Sequence, residues 1–511
     1  MLRARVVALT ATVAVAQYAN LEKYAAFDTT HGVASSEGLS LRLGASSAVG
    51  ASLLHGDEAW ERRLEFGAPS VVYDADRYKL WYGACVAGRC GSGDATRALL
   101  YAESADGVRW RKPRLGLVHW PVGGASAANN LVVMGAGGAG VFEDANPREP
   151  SSRRFKAVAA VAPRGAAPRR GALASRDGRA WERPRLGTGA GSRDGPASAF
   201  WAAALGRYVS FAARGGGGNG TVGRREQRGW AGRAGAATTA LRGAAALAAF
   251  PFYSAYLGFA AARGRCEPYW SPDTKQWFPL VDARSGRRDV VPPGNGVVCG
   301  RPVVAGGRTT VYYLEGAGNA TLRAVAYGPD AFAGLGAGKR TGTLRSRVLP
   351  CRGEPPAVTV AVGGAGSVKA ALLDVRGDAL AGYSMAESSP ILADAADATL
   401  AWSATATRVP ELPESCVLVL ELADATVFTF GFPRPPPPPR PRDAGARHFA
   451  EALLVGEAEL LGIARLFGLL GATTLACAGL RGACARVANC VHRDRRKARA
   501  ADLGLESRET S

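Results

Sequence analysis

Lysine, histidine and methionine are scarce in this chain, and regular helical patterning is scarcer still. Only 8 of the 63 basic residues are lysine, and 5 histidines and 3 methionines occur in 511 residues. With so few histidines, and no Cys/His cluster at zinc-ligand spacing, no metal site can be argued and no cofactor is called for. The net charge of +20 is carried almost entirely by arginine spread through the chain. A nucleic-acid binder concentrates its charge on one helix or face, and no basic helix, zinc-finger spacing or aromatic RNA-binding motif is present, so nucleic acid is not expected as a partner. Little 3.6-residue periodicity appears before residue 340, which argues against a helical fold there.

What is present is a succession of short β-branched and aromatic runs separated by Gly, Pro and Asp. PSVVYDADRYKLWYG, from Pro69, reads as strand, turn and return strand, and RYVSFAAR from Arg207 and RTTVYYLEG from Arg308 repeat the character of the second strand. With 47% hydrophobic residues the chain can bury a large core.

One heptapeptide recurs: SADGVRW from Ser104, SRDGRAW from Ser175 and SPDTKQW from Ser271, with a degenerate copy, GRREQRGWAG, carrying Trp230. In such a turn the Asp carboxylate accepts from backbone N–H groups two residues on, Gly supplies positive φ, and the Trp folds back to pack between layers. Asp106, Asp177 and Asp273 are therefore expected to be architectural. Their spacing, with a closing hairpin around residues 309–327, predicts a radial array of four-stranded sheets. From about residue 342 the alternating runs lack the Asp-Gly-Trp turn, as a β-sandwich would. PRPPPPPRPRD from Pro433 then reads as a stiff linker.

The two ends carry targeting signals. MLRARVVALTATVAVAQ places Arg3 and Arg5 ahead of an apolar run and an A-x-A site at residues 14–16, a secretory signal peptide, with a buried first strand as the alternative. Sequons at Asn219 and Asn319 agree with export to the secretory pathway and the cell exterior or surface. Cys85 and Cys90 are close enough to form a local disulfide across a loop. Near the C-terminus, residues 460–480 contain one charge, Arg465. A bilayer span needs about 20 apolar residues, so this is a candidate single-pass membrane anchor; an amphipathic helical hairpin or an error in the gene model are the alternatives.

The order of motifs resembles that of five-bladed β-propeller glycoside hydrolases of the family 32, 43 and 68 type. It is carried by HGDEAWE, YDADRYKLWY, YAESADGVRWRKPRLGLV, ANNLVV, SSRRFKAVAAV, FWAAALGRYVSF, FPFYSAYLGF, YWSPDTKQW and FTFGF, over roughly residues 25–432. The resemblance implies an all-β fold, a five-bladed propeller over 25–340 followed by a β-sandwich over 341–432; the residues outside it read as signal peptide 1–16, Pro-rich linker 433–443, helical tail 447–490 and basic tail 491–511. It implies a carbohydrate as the partner, and hydrolysis by paired carboxylates on inner strands facing the channel.

Residue by residue, the carry-over is incomplete. Ala68-Pro69 stands where the family has Asp-Pro, leaving Glu65 or Glu61 upstream as substitutes. Asp144, beside Glu143, is the candidate acid of the second blade. Asp194-Gly195-Pro196 resembles the acidic-Gly-Pro of the general acid. The fourth blade offers only Tyr253 and Tyr256 as sugar-stacking aromatics, and the fifth offers Arg301 as a ligand for an acidic sugar. Two functions follow: a glycosidase using Asp144, Asp194 and Glu65, or a propeller that keeps the scaffold, has lost hydrolysis and binds carbohydrate.

Overall fold

The computed structural model describes residues 21–433 apart from 62, 65–67, 87–96, 121–125, 162–168, 183–184, 191–196, 215–219, 231, 233, 317–319, 352–354 and 404–411, and the side chains of 21, 185–190 and 433. The signal peptide, the linker, the candidate anchor at 460–480 and the rest of the tail lie outside the described residues, as do Cys90, Asn219 and Asn319. Among the described residues no helix is long and apolar enough to cross a membrane.

The described residues are all-β, and five of their sheets form a five-bladed propeller. The innermost strands are Ser70–Asp74, Ala136–Glu143, Ala197–Ala202, Ala246–Phe252 and Val298–Ala305. Each lies beside the next, and the fifth lies beside the first, so the ring is closed. Their positions are those that the five motifs predict. Gly140 and Gly300 explain how closely the strands approach. A Cβ on Gly140 would stand 2.0 Å from the carbonyl oxygen of Ala197, and one on Gly300 2.1 Å from that of Pro69. Any side chain there would push neighbouring blades apart.

The outermost strand of the fifth blade comes from the other end of the propeller sequence. Ser47–Ala48 pairs with Val325 and Ala326, tying the first residues of the propeller to its last blade. Two disulfides are formed among the described residues. Cys266–Cys299 joins the third strand of blade four to the inner strand of blade five, and Cys351–Cys416 closes a 65-residue span further on. Cross-links closing spans of this length contribute about 2–4 kcal/mol each. Cys85 is also disulfide-bonded.

Beyond the propeller, the expected sandwich is instead one nine-stranded sheet, rolled as a half-barrel. Its spine is the 19-residue strand Ser415–Pro433, paired along nearly its whole length with the 17-residue strand Ala357–Leu373. Along the other edge of the spine lie four short strands in succession: Leu349–Pro350, Gly342–Ser346, Ala333–Gly336 and Leu21–Ala25. Val33–Glu37 and Ser40–Leu43 extend the sheet outward. A second sheet is not needed because the long strands bend at bulges, notably between Val362 and Ser367, and wrap one core containing Leu344, Val358, Leu372, Trp402, Leu420 and Phe430. The N-terminal strands thus join the C-terminal sheet, with Leu21 opposite Pro433.

Candidate functional site: the propeller channel

The heptapeptides connect the third and fourth strands of their blades, at the contact with the preceding blade. Asp106 Oδ1 accepts from the amides of Val108 and Arg109, both at 2.8 Å, and Asp177 and Asp273 repeat the arrangement at 2.8–3.0 Å. The backbone N–H groups hold the Asp106 carboxyl below its usual range; at Asp177 and Asp273 burial pulls the other way and the same amides outweigh it. These carboxylates are consumed by their turns, as the motif predicts.

Each turn is also a docking point. The carbonyl of Gly107 accepts from Tyr312 of blade five at 3.0 Å, and that of Gly178 from Trp81 Nε1 of blade one at 2.6 Å. In blade four the Thr274 hydroxyl accepts from Arg224 of blade three at 2.7 and 2.9 Å. Trp230 of the degenerate copy donates to the carbonyl of Leu173 in blade two at 2.7 Å. The repeat therefore joins one blade to the next.

At the centre the inner strands enclose a cavity of about 250 Å³ lined by residues of all five blades. Its wall is made largely of small and apolar groups, including Ala68, Val71, Gly140, Ala197, Ala248 and Val303. Ser70 and Ser198 also line it, but Ser70 Oγ accepts from the amide of Val141 at 2.9 Å and Ser198 Oγ donates to the carbonyl of Leu247 at 2.6 Å. Among the described residues Glu143 supplies the only carboxylate of the lining and Arg301 the only cation.

Arg301 is held from three sides. Its guanidinium lies 5.4 Å from the centre of the Phe142 ring and 5.7 Å from that of Phe200, and Nη2 donates to the carbonyl of Ala199. No carboxylate among the described residues pairs with it. Loss of water with no compensating anion pushes its pKa down to about 9, so it remains charged at neutral pH.

The sequence-derived acids are dispersed. Asp144 follows the inner strand by one residue, and alternation along the chain sends its side chain the opposite way from Glu143. Its carboxylate is 1% exposed, accepts from Tyr208 at 2.5 Å and stands 3.5 Å from Lys156 Nζ, which is fully buried. Asp144 is thus a member of the contact between blades two and three and does not line the channel. Burial and the Asp144 carboxylate push the Tyr208 hydroxyl pKa well up. Asp194 and Glu65 lie outside the described residues. Glu61, the alternative to Glu65, is buried and accepts from Tyr82 and Lys112 at 2.5 Å.

The two tyrosines lie away from the cavity. Tyr256 stacks on Phe200 at 5.5 Å in the contact between blades three and four. Tyr253 sits at a hairpin tip with φ of 53° and donates to Asp330 at 2.6 Å. Neither lines the cavity. Arg301 is the one proposed ligand that does.

One carboxylate pair escaped the sequence reading. Asp74 ends the inner strand of blade one and Glu143 that of blade two, and both accept from Nη2 of Arg154, which keeps the two oxygens within about 6 Å of each other. Lys79 adds a second cation 2.6 Å from Asp74. Burial raises the Asp74 pKa, but Lys79 and Arg154 outweigh it and hold the carboxyl below its ordinary value. A glycosidase needs one member of its pair protonated near neutral pH. Lys79 and Arg154 keep Asp74 ionised, which suits the base or nucleophile of such a pair and not its acid.

No protein-family model matches the chain, and none of the curated proteins does. Among solved structures, a glycosyl hydrolase from Bacteroides ovatus is similar at 13% identity, with 56% of this chain and 94% of that one covered and a TM-score of 0.39. The catalytic domain of the Coprinopsis cinerea GH62 α-L-arabinofuranosidase gives 13% identity, 56% and 97% coverage and a TM-score of 0.38. A thermostable family-43 glycoside hydrolase gives 14% identity, 52% and 91% coverage and a TM-score of 0.37.

Proposed function

We propose that this protein is an exported saccharide-binding propeller that holds a single acidic sugar unit in its channel and does not cleave it by paired carboxylates. The observation that carries this reading is the composition of the channel wall: one desolvated arginine clamped between Phe142 and Phe200, and one carboxylate that is neutralised by Arg154. The sequence resemblance to propeller glycosidases supplies the ligand class. A cavity of about 250 Å³ accommodates one ring better than a chain. The charge of Arg301, free of any carboxylate partner among the described residues, favours a uronate over a neutral sugar. Cysteine cross-links across the propeller and the sheet accord with export, since disulfides persist in oxidising compartments.

The test is calorimetric titration with galacturonate, glucuronate and their neutral parent sugars, alongside an assay for reducing-end release from polysaccharides. Uronate binding that falls at least tenfold in Arg301→Met, with no sugar release by the parent protein, is the expected result. Sugar release that disappears in Asp74→Asn, Glu143→Gln or Asp194→Asn would establish hydrolysis instead.

A further inference from the structure

A second, larger depression lies between the propeller and the half-barrel sheet. It encloses about 670 Å³, more than twice the volume of the channel cavity. One wall is the loop that connects blade four to blade five and carries Asp282, Arg284 and Arg287. The other is formed by Arg42 and by the bulged region of the two long strands, with Asp424.

The charges of this cleft are unequal in availability. Asp282 is nearly saturated: its carboxylate accepts from the amides of Leu43, Arg284 and Ser285 and from the Ser285 hydroxyl, at 2.8–3.1 Å. Those bonds outweigh burial and hold its pKa down at about 2. Arg287 donates to the carbonyls of Leu43 and Gly44, at 2.9 and 2.5 Å, so its side chain is fixed, and among the described residues no carboxylate pairs with it. Arg42 and Arg284 also line the cleft, and among the described residues no carboxylate pairs with either. Asp424 is the remaining acid. Three arginines therefore line a space in which one of the two carboxylates, Asp282, is already occupied by backbone N–H groups.

The local backbone is shaped around this space. The long strand Ala357–Leu373 leaves its partner's register between Val362 and Ser367, and Asp424 opposite takes φ of 41°. Bulges re-aim side chains and open sheet edges at binding sites. Here the loop is bonded to the sheet's edge strand Ser40–Leu43, through Leu43 to Asp282 and Arg287 and through Leu41 to Ala283, and the space lies between that loop and the bulge.

We infer that this cleft binds the anionic groups of an acidic oligosaccharide, as a site separate from the channel. The ligand class rests on the saccharide reading above, whereas the preference for anions rests on Arg42, Arg284 and Arg287 alone. Guanidinium groups bind carboxylates and sulfate esters in the same bidentate manner, so both are ligand chemistries for the site.

Two probes separate these sources: an oligogalacturonate of about six units, which carries carboxylates only, and a dextran sulfate fragment of similar length, which carries sulfate esters only. Binding is measured for the parent, for Arg42→Ala/Arg284→Ala, for Arg301→Met, and for Arg228→Ala/Arg308→Ala, which removes two exposed arginines elsewhere. The cleft double variant should lose at least tenfold in affinity for one or both oligomers while retaining monomeric uronate binding. The equal-charge control should lose less than threefold. If the control loses as much as the cleft variant, or if the cleft variant binds both oligomers as the parent does, the site is excluded. A failure of Arg301→Met to change monosaccharide binding would overturn the channel reading alone, because the oligomer comparison does not use that residue.

Discussion

Trp81 Nε1 lies 2.6 Å from the carbonyl oxygen of Gly178, and this hydrogen bond attaches blade two to blade one. The same relation recurs one blade earlier, where Tyr312 reaches Gly107. Both glycines hold positive φ, 79° and 74°. A Cβ on Gly178 would meet the Trp81 ring at 2.3 Å, so glycine is required there by space and by backbone alike. Gly178→Ala should cost about 2–4 kcal/mol, as left-handed strain and overpacking combine. Gly206→Ala is the internal comparison: its φ is 58° but nothing lies within 4 Å, so only the backbone cost of about 1–2 kcal/mol should appear. Urea unfolding of the two variants measures the difference, and equal losses would refute the docking role of the turn.

Lys23 should prove indispensable to the attachment of the half-barrel to the propeller. Its ammonium lies 2.8 Å from Asp330 and 2.6 Å from Asp397, and all three side chains are below 10% exposure. Tyr253, Asp330 and Asp397 all take positive φ around this one cation. Lys23→Met leaves two buried carboxylates with no counter-ion, and breaking a buried pair typically costs about 3–5 kcal/mol. Adding Asp397→Asn to Lys23→Met should recover part of that loss, because it removes one of the stranded charges. Thermal denaturation of the single and double variants decides it; a double variant no more stable than Lys23→Met would show that repulsion is not the cause.

How far the sequence could reach is visible in these two clusters. The heptapeptide is local: Ser175, Asp177, Gly178 and Trp181 lie within seven residues, so their pattern reports their geometry directly. Blade positions followed, since in blades one to four the inner strand precedes such a turn by two strands. The Lys23 cluster joins positions separated by more than 300 residues, and no single-chain periodicity announces it. The pairing of Leu21–Ala25 with Thr429–Pro433 is hidden for the same reason, which is why the C-terminal region reads as a self-contained sandwich. Asp144 failed on a finer scale. One residue of alternation decides whether Glu143 or Asp144 faces the channel, and the sequence EDAN admits either.

Asp282 should make a pH-dependent contribution that can be isolated by subtraction. Its carboxyl is held at about 2, from an ordinary value of 3.8, so the folded state favours the ionised form. A depressed carboxylate stabilises fully above its unfolded value and loses that effect as pH falls through its folded value. The stability gap between the parent and Asp282→Asn should therefore be constant from pH 7 to about 5 and shrink between about pH 4 and pH 2. Denaturant unfolding at each pH supplies the gap; one that widens on acidification would mean that the hydrogen bonds to Asp282 do not favour its charge.

Asp144 and Glu143 offer the sharpest separation of structure from binding, because they are neighbours with opposite surroundings. The Asp144 carboxylate is 1% exposed and binds Tyr208 and Lys156, whereas Glu143 is 44% exposed and lines the channel. Asp144→Asn should lower stability by roughly 1–3 kcal/mol, as expected when a charged, buried hydrogen-bond acceptor is replaced. Its affinity for uronate should remain within twofold of the parent. Glu143→Gln should leave stability within about 0.5 kcal/mol, since exposed ion pairs contribute little. It should also strengthen uronate binding, because a negative charge is removed from the wall that carries Arg301. Calorimetric titration and unfolding on the same preparations test both halves. Weaker uronate binding in Glu143→Gln would mean that this carboxylate contacts the sugar as an acceptor, and the channel would then have to be read as selecting hydroxyl groups over charge.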